Sequence, residues 1–263
     1  MTILASPPRV RRPLLLFVVT VIAVTWAVQL AFLAVGLPLF PALLIELVVL
    51  VGTAAVLTRR ADGRAGVRRL FAGVLRWRFG VRWYVLALVA LPVLTLGVAV
   101  LAGTFRAPDG WAGELVQYLF VAVVFGALLG NVWEELAWTG YLQSRLADRH
   151  GWLLGALLTA VPFGLIHLPM AFEEHGLTGT GVGEVAIAWG ALVAVAPFFR
   201  VLLGVAYERT GRSVLAVGLL HGSFNASGAT ALAGGGWEYL VAAGVLAIAV
   251  AGWAVADRRR VRT

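Results

Sequence analysis

The sequence predicts an all-α protein, a polytopic transmembrane helical bundle of about eight spans, on three observations. Hydrophobic residues make up 61% of the 263-residue chain and charged residues 13%, about half the quarter that a soluble domain carries. Apolar runs of about twenty residues, the length that crosses the hydrocarbon of a bilayer, recur from one end to the other. Ionisable residues stand inside these runs, where burying charge is so costly that it normally marks function. A transmembrane barrel would instead show short alternating segments.

The first run, Leu14 to Val35, is too long for the core of a signal peptide and precedes no small-residue cleavage site, so it reads as a retained span. Phe40 to Leu57 forms the second. Eight arginines between Arg59 and Arg82 follow, interleaved with Leu70, Phe71, Leu75, Trp77 and Phe79. That mixture predicts a helix lying on anionic headgroups, not a nucleic-acid surface. Trp83 to Phe105 is the third span and Val116 to Leu146 the fourth, about 45 Å of helix that must tilt or project from the bilayer. Trp152 to Leu168, Val185 to Tyr207, Val214 to Leu232 and Tyr239 to Ala256 complete the set. No repeat, low-complexity tract or soluble linker interrupts them, so residues 1–263 read as one integral membrane domain. Membrane lipids are the expected surroundings, and oligomeric state is not legible.

The formal charge of +8 comes from arginine alone, because the chain has no lysine. Arg9, Arg11 and Arg12 precede the first span, Arg145 and Arg149 follow the fourth, Arg209 and Arg212 the sixth, and Arg258, Arg259, Arg260 and Arg262 the last. The alternate loops hold Arg106 and the acidic FEEHG segment. The positive-inside rule then places both termini in the cytoplasm, in a cell membrane, with an active site facing the same side. Cysteine is absent, which excludes disulfides and thiolate metal sites.

The intramembrane candidates are Glu134 and Glu135 in NVWEELAWTGYL, His167 in PFGLIHLP, and His221 and Asn225 in LLHGSFNA. Residues cooperate only at a shared depth. Glu134 precedes the ADRHG turn by about as many positions as His167 follows it, which puts both roughly 20 Å of helix from that turn. His221 and Asn225, four apart on one helix face, lie about 15 to 20 Å from the ERTGRS turn. His175, Glu173 and Glu174 fall in an outer loop and read as solvated surface, and His150 as part of a turn. Trp138, one turn after Glu134, is either an interfacial anchor or a wall of the site.

Such a set suits carbonyl hydrolysis. A carboxylate takes a proton from water, an imidazole carries it, and an amide with a second imidazole stabilises the oxyanion. Alternatively Glu134, His167, His221 and Asn225 hold a divalent ion such as zinc that activates its bound water. Neither the H-E-x-x-H helix of zinc proteases nor a G-x-S-x-G elbow is present. A small transporter could use the same buried charges, but interrupted helices in matching halves are not seen.

Glu-Glu followed by G-Y-L, then F-x-x-x-H from Phe163 to His167, then H-x-x-x-N from His221 to Asn225, resembles the CPBP family of intramembrane proteases. That family includes the CAAX prenyl endopeptidase of the Rce1 type and the bacterial Abi, or bacteriocin-immunity, proteins. The resemblance covers about residues 116–230. It implies a membrane-embedded peptidase acting on a membrane-associated peptide or protein, with Glu134 and His167 activating water and His221 and Asn225 binding the oxyanion or a metal. The family pattern E-E-x-x-x-R is broken here by Thr139 in the arginine position, which removes an i,i+4 partner from Glu135. Either the chain is a degenerate member serving as a binding or immunity factor, or another cation substitutes. Arg200, inside the sixth run and near the same depth, is the candidate, unless it snorkels to the headgroups.

Overall fold

The structure, a computed structural model, describes residues 8–260, with side chains from Arg12 to Asp257. Arg9, Arg11 and the arginines from Arg258 onward therefore lie outside the described side chains. Eight long helices follow one another among the described residues: α1 Pro8–Ala34, α2 Phe40–Ala72, α3 Val81–Ala102 and α4 Trp111–His150, α5 Trp152–Ile166, α6 Val182–Arg209, α7 Val214–Gly228 and α8 Glu238–Arg260. The described residues form an all-helical fold, as the apolar runs predict. Seven helical stretches are long and apolar enough to cross a membrane. They turn many large apolar side chains outward, among them Val48, Leu101 and Ile187, as a lipid-facing surface requires.

The seventh run departs from expectation. Its helix is 15 residues long and stops at Gly228, four residues short of Leu232, where the apolar run ends. It has little need of a lipid-facing surface, because most of its residues on every side, including Val217, Leu220, His221 and Phe224, are buried. A helix apolar all round belongs in the middle of the bundle. It can settle there because Gly218 and Gly222, four apart, let it press against α4. A β-carbon on Gly218 would lie 2.8 Å from the Cα of Val132, and one on Gly222 2.9 Å from the backbone nitrogen of Ala127. Small residues at this spacing are how membrane helices bring their backbones together.

The basic stretch after the second run is only partly the surface helix expected. Gly63 adopts φ 67°, ψ −166° and breaks α2 there, the helix resuming to Ala72; residues 76–80 are non-helical before α3. Leu70 and Phe79 tuck into the core while Leu75 and Trp77 are exposed.

The arginine-rich segments gather at one end of the bundle. Arg145 of α4 pairs with Asp62 of α2 at 2.6 Å, Arg212 with Asp148 at 3.1 Å, and Arg209 with Asp257. Ser213 caps α7, accepting from the Ala216 backbone N–H at 3.1 Å and donating to the Arg76 carbonyl at 2.6 Å. At the opposite end the α3–α4 and α7–α8 connections meet. The Arg106 backbone N–H donates to Leu232 at 2.9 Å and Gly234 to Thr104 at 3.0 Å. Buried Glu238 accepts there from Thr104 Oγ1 at 2.5 Å and from the Gly235 and Trp237 backbones.

Candidate active site

The candidate site lies where α4, α5, α6 and α7 meet, and α4 prepares it by changing its winding. Over Phe120–Asn131 and Leu136–Gln143 the helix widens to π geometry, leaving Val132–Glu135 as a single α turn between them. Such widenings spread side chains apart and cluster at functional sites. Here they flank the two glutamates, which diverge into different surroundings.

Glu135 points into the protein. Its carboxylate is fully buried and faces the equally buried Arg200 of α6, whose Nη1 donates to Oε1 at 2.9 Å and Oε2 at 3.0 Å. Thr139, at the position where the arginine is missing, donates its hydroxyl to Glu135 Oε2 and accepts from Arg200 Nη2 at 2.7 Å. Gln143, one further turn along α4, takes the rest of the guanidinium. Its Oε1 accepts from Arg200 Nε at 2.9 Å and Nη2 at 2.6 Å, and its amide returns a bond to the Arg200 carbonyl at 2.9 Å. Gly204 on α6 leaves the room, since a β-carbon there would collide with the Gln143 amide. The guanidinium also lies 5.2 Å from the centre of the Phe163 ring. Arg200 does not snorkel, because its side chain is 0% exposed. The cation that the sequence lacks at Thr139 arrives from another helix, with Thr139 bridging acid and base.

His221 completes this network, its Nδ1 lying 2.9 Å from Glu135 Oε1. A carboxylate engaged by a guanidinium accepts, so Nδ1 carries the proton and Nε2 is left for chemistry. Nδ1 also lies 4.0 Å from Glu134 Oε2. Rings of Phe199 at 5.1 Å and Phe163 at 6.0 Å enclose the imidazole.

Glu134 is the freer acid. Its side chain is 13% exposed, its Oε2 accepts from Asn131 Nδ2 at 3.2 Å, and its buried Oε1 has no hydrogen-bond partner. Asn225 is exposed and donates to Asn131 Oδ1 at 3.2 Å, so Asn131 links the Asn225 amide to Glu134. One Asn225 amide hydrogen remains unengaged. Asn131 and Gln143 escaped the sequence reading, though each is a polar residue in an apolar run within two turns of the glutamates.

His167 ends α5, with Nδ1 2.6 Å from the Phe163 carbonyl. A carbonyl can only accept, so Nδ1 is protonated here too and Nε2 is available. The ring lies 4.8 Å from Phe163, which adjoins His221, but no hydrogen bond joins His167 to either glutamate among the described residues. Trp138 is fully buried and packs edge-on against Phe163 at 5.8 Å, so it walls the site at one remove. His175 is exposed and faces Glu184 at 3.8 Å, away from this constellation.

Glu135 and His221 Nδ1 are spent on each other and on Arg200. Among the described residues no three histidine, aspartate or glutamate side chains converge on a metal-holding position.

Residues 115–227 match the family model of the type II CAAX prenyl endopeptidases, Rce1-like. The match agrees with the resemblance carried by the motifs and spans all five candidate residues and Arg200. At the level of that family it supports a CAAX-protease-like membrane endopeptidase. A comparison with curated proteins finds no match.

Proposed function

We propose that the chain is an intramembrane endopeptidase that hydrolyses a peptide bond of a membrane-associated peptide or protein, with Glu134 as the base that activates water. The observation that carries this is the division of labour between adjacent glutamates. Glu135 is locked by Arg200, Thr139 and His221, whereas Glu134 keeps an unpartnered oxygen beside the imidazole of His221. Two carboxylates set apart by their surroundings are the usual sign of different roles.

In the proposed reaction Glu134 takes a proton from water and the oxygen adds to the scissile carbonyl carbon. The oxyanion meets the free amide hydrogen of Asn225, joined by His221 Nε2 when that ring is doubly protonated. Collapse breaks the C–N bond, and the departing amine receives the proton from Glu134 by way of His167 Nε2. No step passes through a metal. Glu135 and Arg200 touch neither water nor substrate in this scheme and position His221.

The test is cleavage of a membrane-proximal peptide by purified protein, with and without chelator. Cleavage should persist with chelator and vanish in Glu134→Gln, which keeps the shape of the side chain but cannot accept a proton. A fully active Glu134→Gln would remove the base, and loss of cleavage on chelation would bring the metal alternative to the front. The degenerate reading rests on Thr139, and the Arg200 guanidinium beside Glu135 and Thr139 supports the enzyme reading over it.

A specific observation favours a second reading of access. Arginine placement argues for a site facing the cytoplasm. The exposed Asn225 lies one turn beyond His221 on the arginine-poor side, while Tyr141, Gln143 and Ser144 toward the arginine-rich end are buried. Substrate entering from the arginine-poor side fits that gradient better.

A further inference from the structure

A cavity lies at the arginine-rich end of the bundle, between α2, the end of α4 and the α6–α7 turn, with a volume of about 490 Å³. That is within the range of small-ligand sites, roughly 300 to 1,000 Å³. Its polar lining is chiefly arginine: Arg69, Arg76, Arg145 and Arg212, opposed by Asp62 and Asp148.

The two pairs of arginines differ. Arg145 is built in, its Nη2 donating to Asp62 at 2.6 Å and to Thr58 at 3.3 Å, with its guanidinium 4.3 Å from the centre of the Tyr141 ring. Arg212 is held by Asp148 at 3.1 Å and, from outside the cavity, by Glu208 at 3.6 Å. Its backbone is left-handed at φ 67°, the one such non-glycine position among the described residues, a conformation that side chains with a β-carbon adopt at a cost. Arg69 and Arg76 have no carboxylate partner among the described residues. Even with Glu208 counted, the cavity keeps a net positive charge in the low dielectric between helices.

Guanidinium groups converging on a pocket suit a phosphate, whose oxygens accept the paired N–H donors of each fork. The position suits a lipid, because basic pockets between helices at a membrane surface take anionic headgroups. Gly140 and Leu70 add apolar surface to its lining. From this geometry we infer that the cavity between α2, α4 and the α6–α7 turn is a binding site for a phosphate group, with Arg69 and Arg76 as its uncommitted ligands. The same chemistry is offered by an anionic phospholipid headgroup and by free phosphate. Gly140 and Ser144, which line it, stand one and two turns past Glu135 on α4, so an occupant would brace the helix that carries the glutamates.

The test uses full-length protein in zwitterionic detergent, comparing phosphatidylglycerol with phosphatidylcholine by native mass spectrometry and inorganic phosphate by thermal shift. Arg69→Gln/Arg76→Gln removes the two unpaired ligands. Arg64→Gln/Arg68→Gln removes the same charge from the same segment outside the cavity. A hydrogen bond to a charged group is worth roughly tenfold in binding, so losing two guanidinium–phosphate contacts should cost the cavity variant about a hundredfold in phosphatidylglycerol affinity. The control should stay close to wild type. Phosphatidylglycerol binding without stabilisation by inorganic phosphate identifies the headgroup as the source, and stabilisation by phosphate alone identifies the free anion. Both support the site if only the cavity variant loses them. Equal losses in the two variants would mean diffuse surface attraction and overturn the proposal, as would an unchanged cavity variant. Since Arg69 and Arg76 make no packing contacts with acidic partners, near-UV circular dichroism should match wild type throughout. All of these readouts are independent of peptide cleavage.

Discussion

At the scale of single residues, the four-member network of Glu135, Arg200, Thr139 and Gln143 decides what the missing arginine means. A buried pair is poor net stabilisation but expensive to break, about 3 to 5 kcal/mol when one charge is left alone. Arg200→Leu should therefore lower stability by that amount, read as a fall in unfolding temperature in detergent, and release His221 from its orientation. Adding Thr139→Arg should recover part of both, because a guanidinium four residues beyond Glu135 reaches it along one helix. Thr139→Arg alone should destabilise, since the space is already filled by Arg200. An Arg200→Leu variant as stable as wild type would leave the network without energetic weight. The glutamates, both histidines and Asn225 were legible because they break apolar runs in a recognisable order. Arg200 was legible only as one of two alternatives, since no spacing along a sequence ties position 135 to position 200. Asn131 and Gln143 were not, because a lone amide in a helix carries no pattern and acquires meaning only from the neighbour it touches.

At the scale of elements, α7 and α4 explain why the site exists at all. The glycines at 218 and 222 bring the two backbones together, and only at that separation does His221 reach Glu135 at 2.9 Å. Gly222→Leu should push α7 away, costing about 1 to 3 kcal/mol or more from overpacking. It should also abolish cleavage without touching any residue that contacts substrate. Retained cleavage with native stability would show that the approach is not needed. The apolar runs gave away eight helices, because hydrocarbon thickness sets their length. Three features stayed hidden: the π winding on either side of the glutamates, the break at Gly63 and the early end of α7. Each depends on how neighbouring helices fit, and hydropathy averages over that.

At the scale of the whole molecule, the described arginines of the turns lie at one end and the connections around Glu238 at the other. By the positive-inside rule we propose that the first end is cytoplasmic. Because the chain has no cysteine, single substitutions can report this directly. Leu75→Cys should react with an impermeant thiol reagent only from the cytoplasmic side, and Glu174→Cys only from the other. The reverse pattern would invert the protein. Asn225→Cys, examined the same way, decides from which side substrate enters.

The bond between Glu135 and Arg200 spans 65 positions of chain, and it therefore has a history as well as a geometry. A ribosome adding about 5 to 20 residues per second needs roughly 3 to 13 seconds to make that interval. Until Arg200 is made, α4 carries an acid destined for the interior and no base to meet it. A lone charge at the centre of a membrane helix costs on the order of 3 kcal/mol during insertion. The nascent α4 gains its buried counter-charge only when α6 joins it. Its own threonine and glutamine cannot neutralise the acid. The site that Glu135 helps to build can therefore close only after the sixth helix has been made, so a chain truncated before Arg200 would carry both acids without their base.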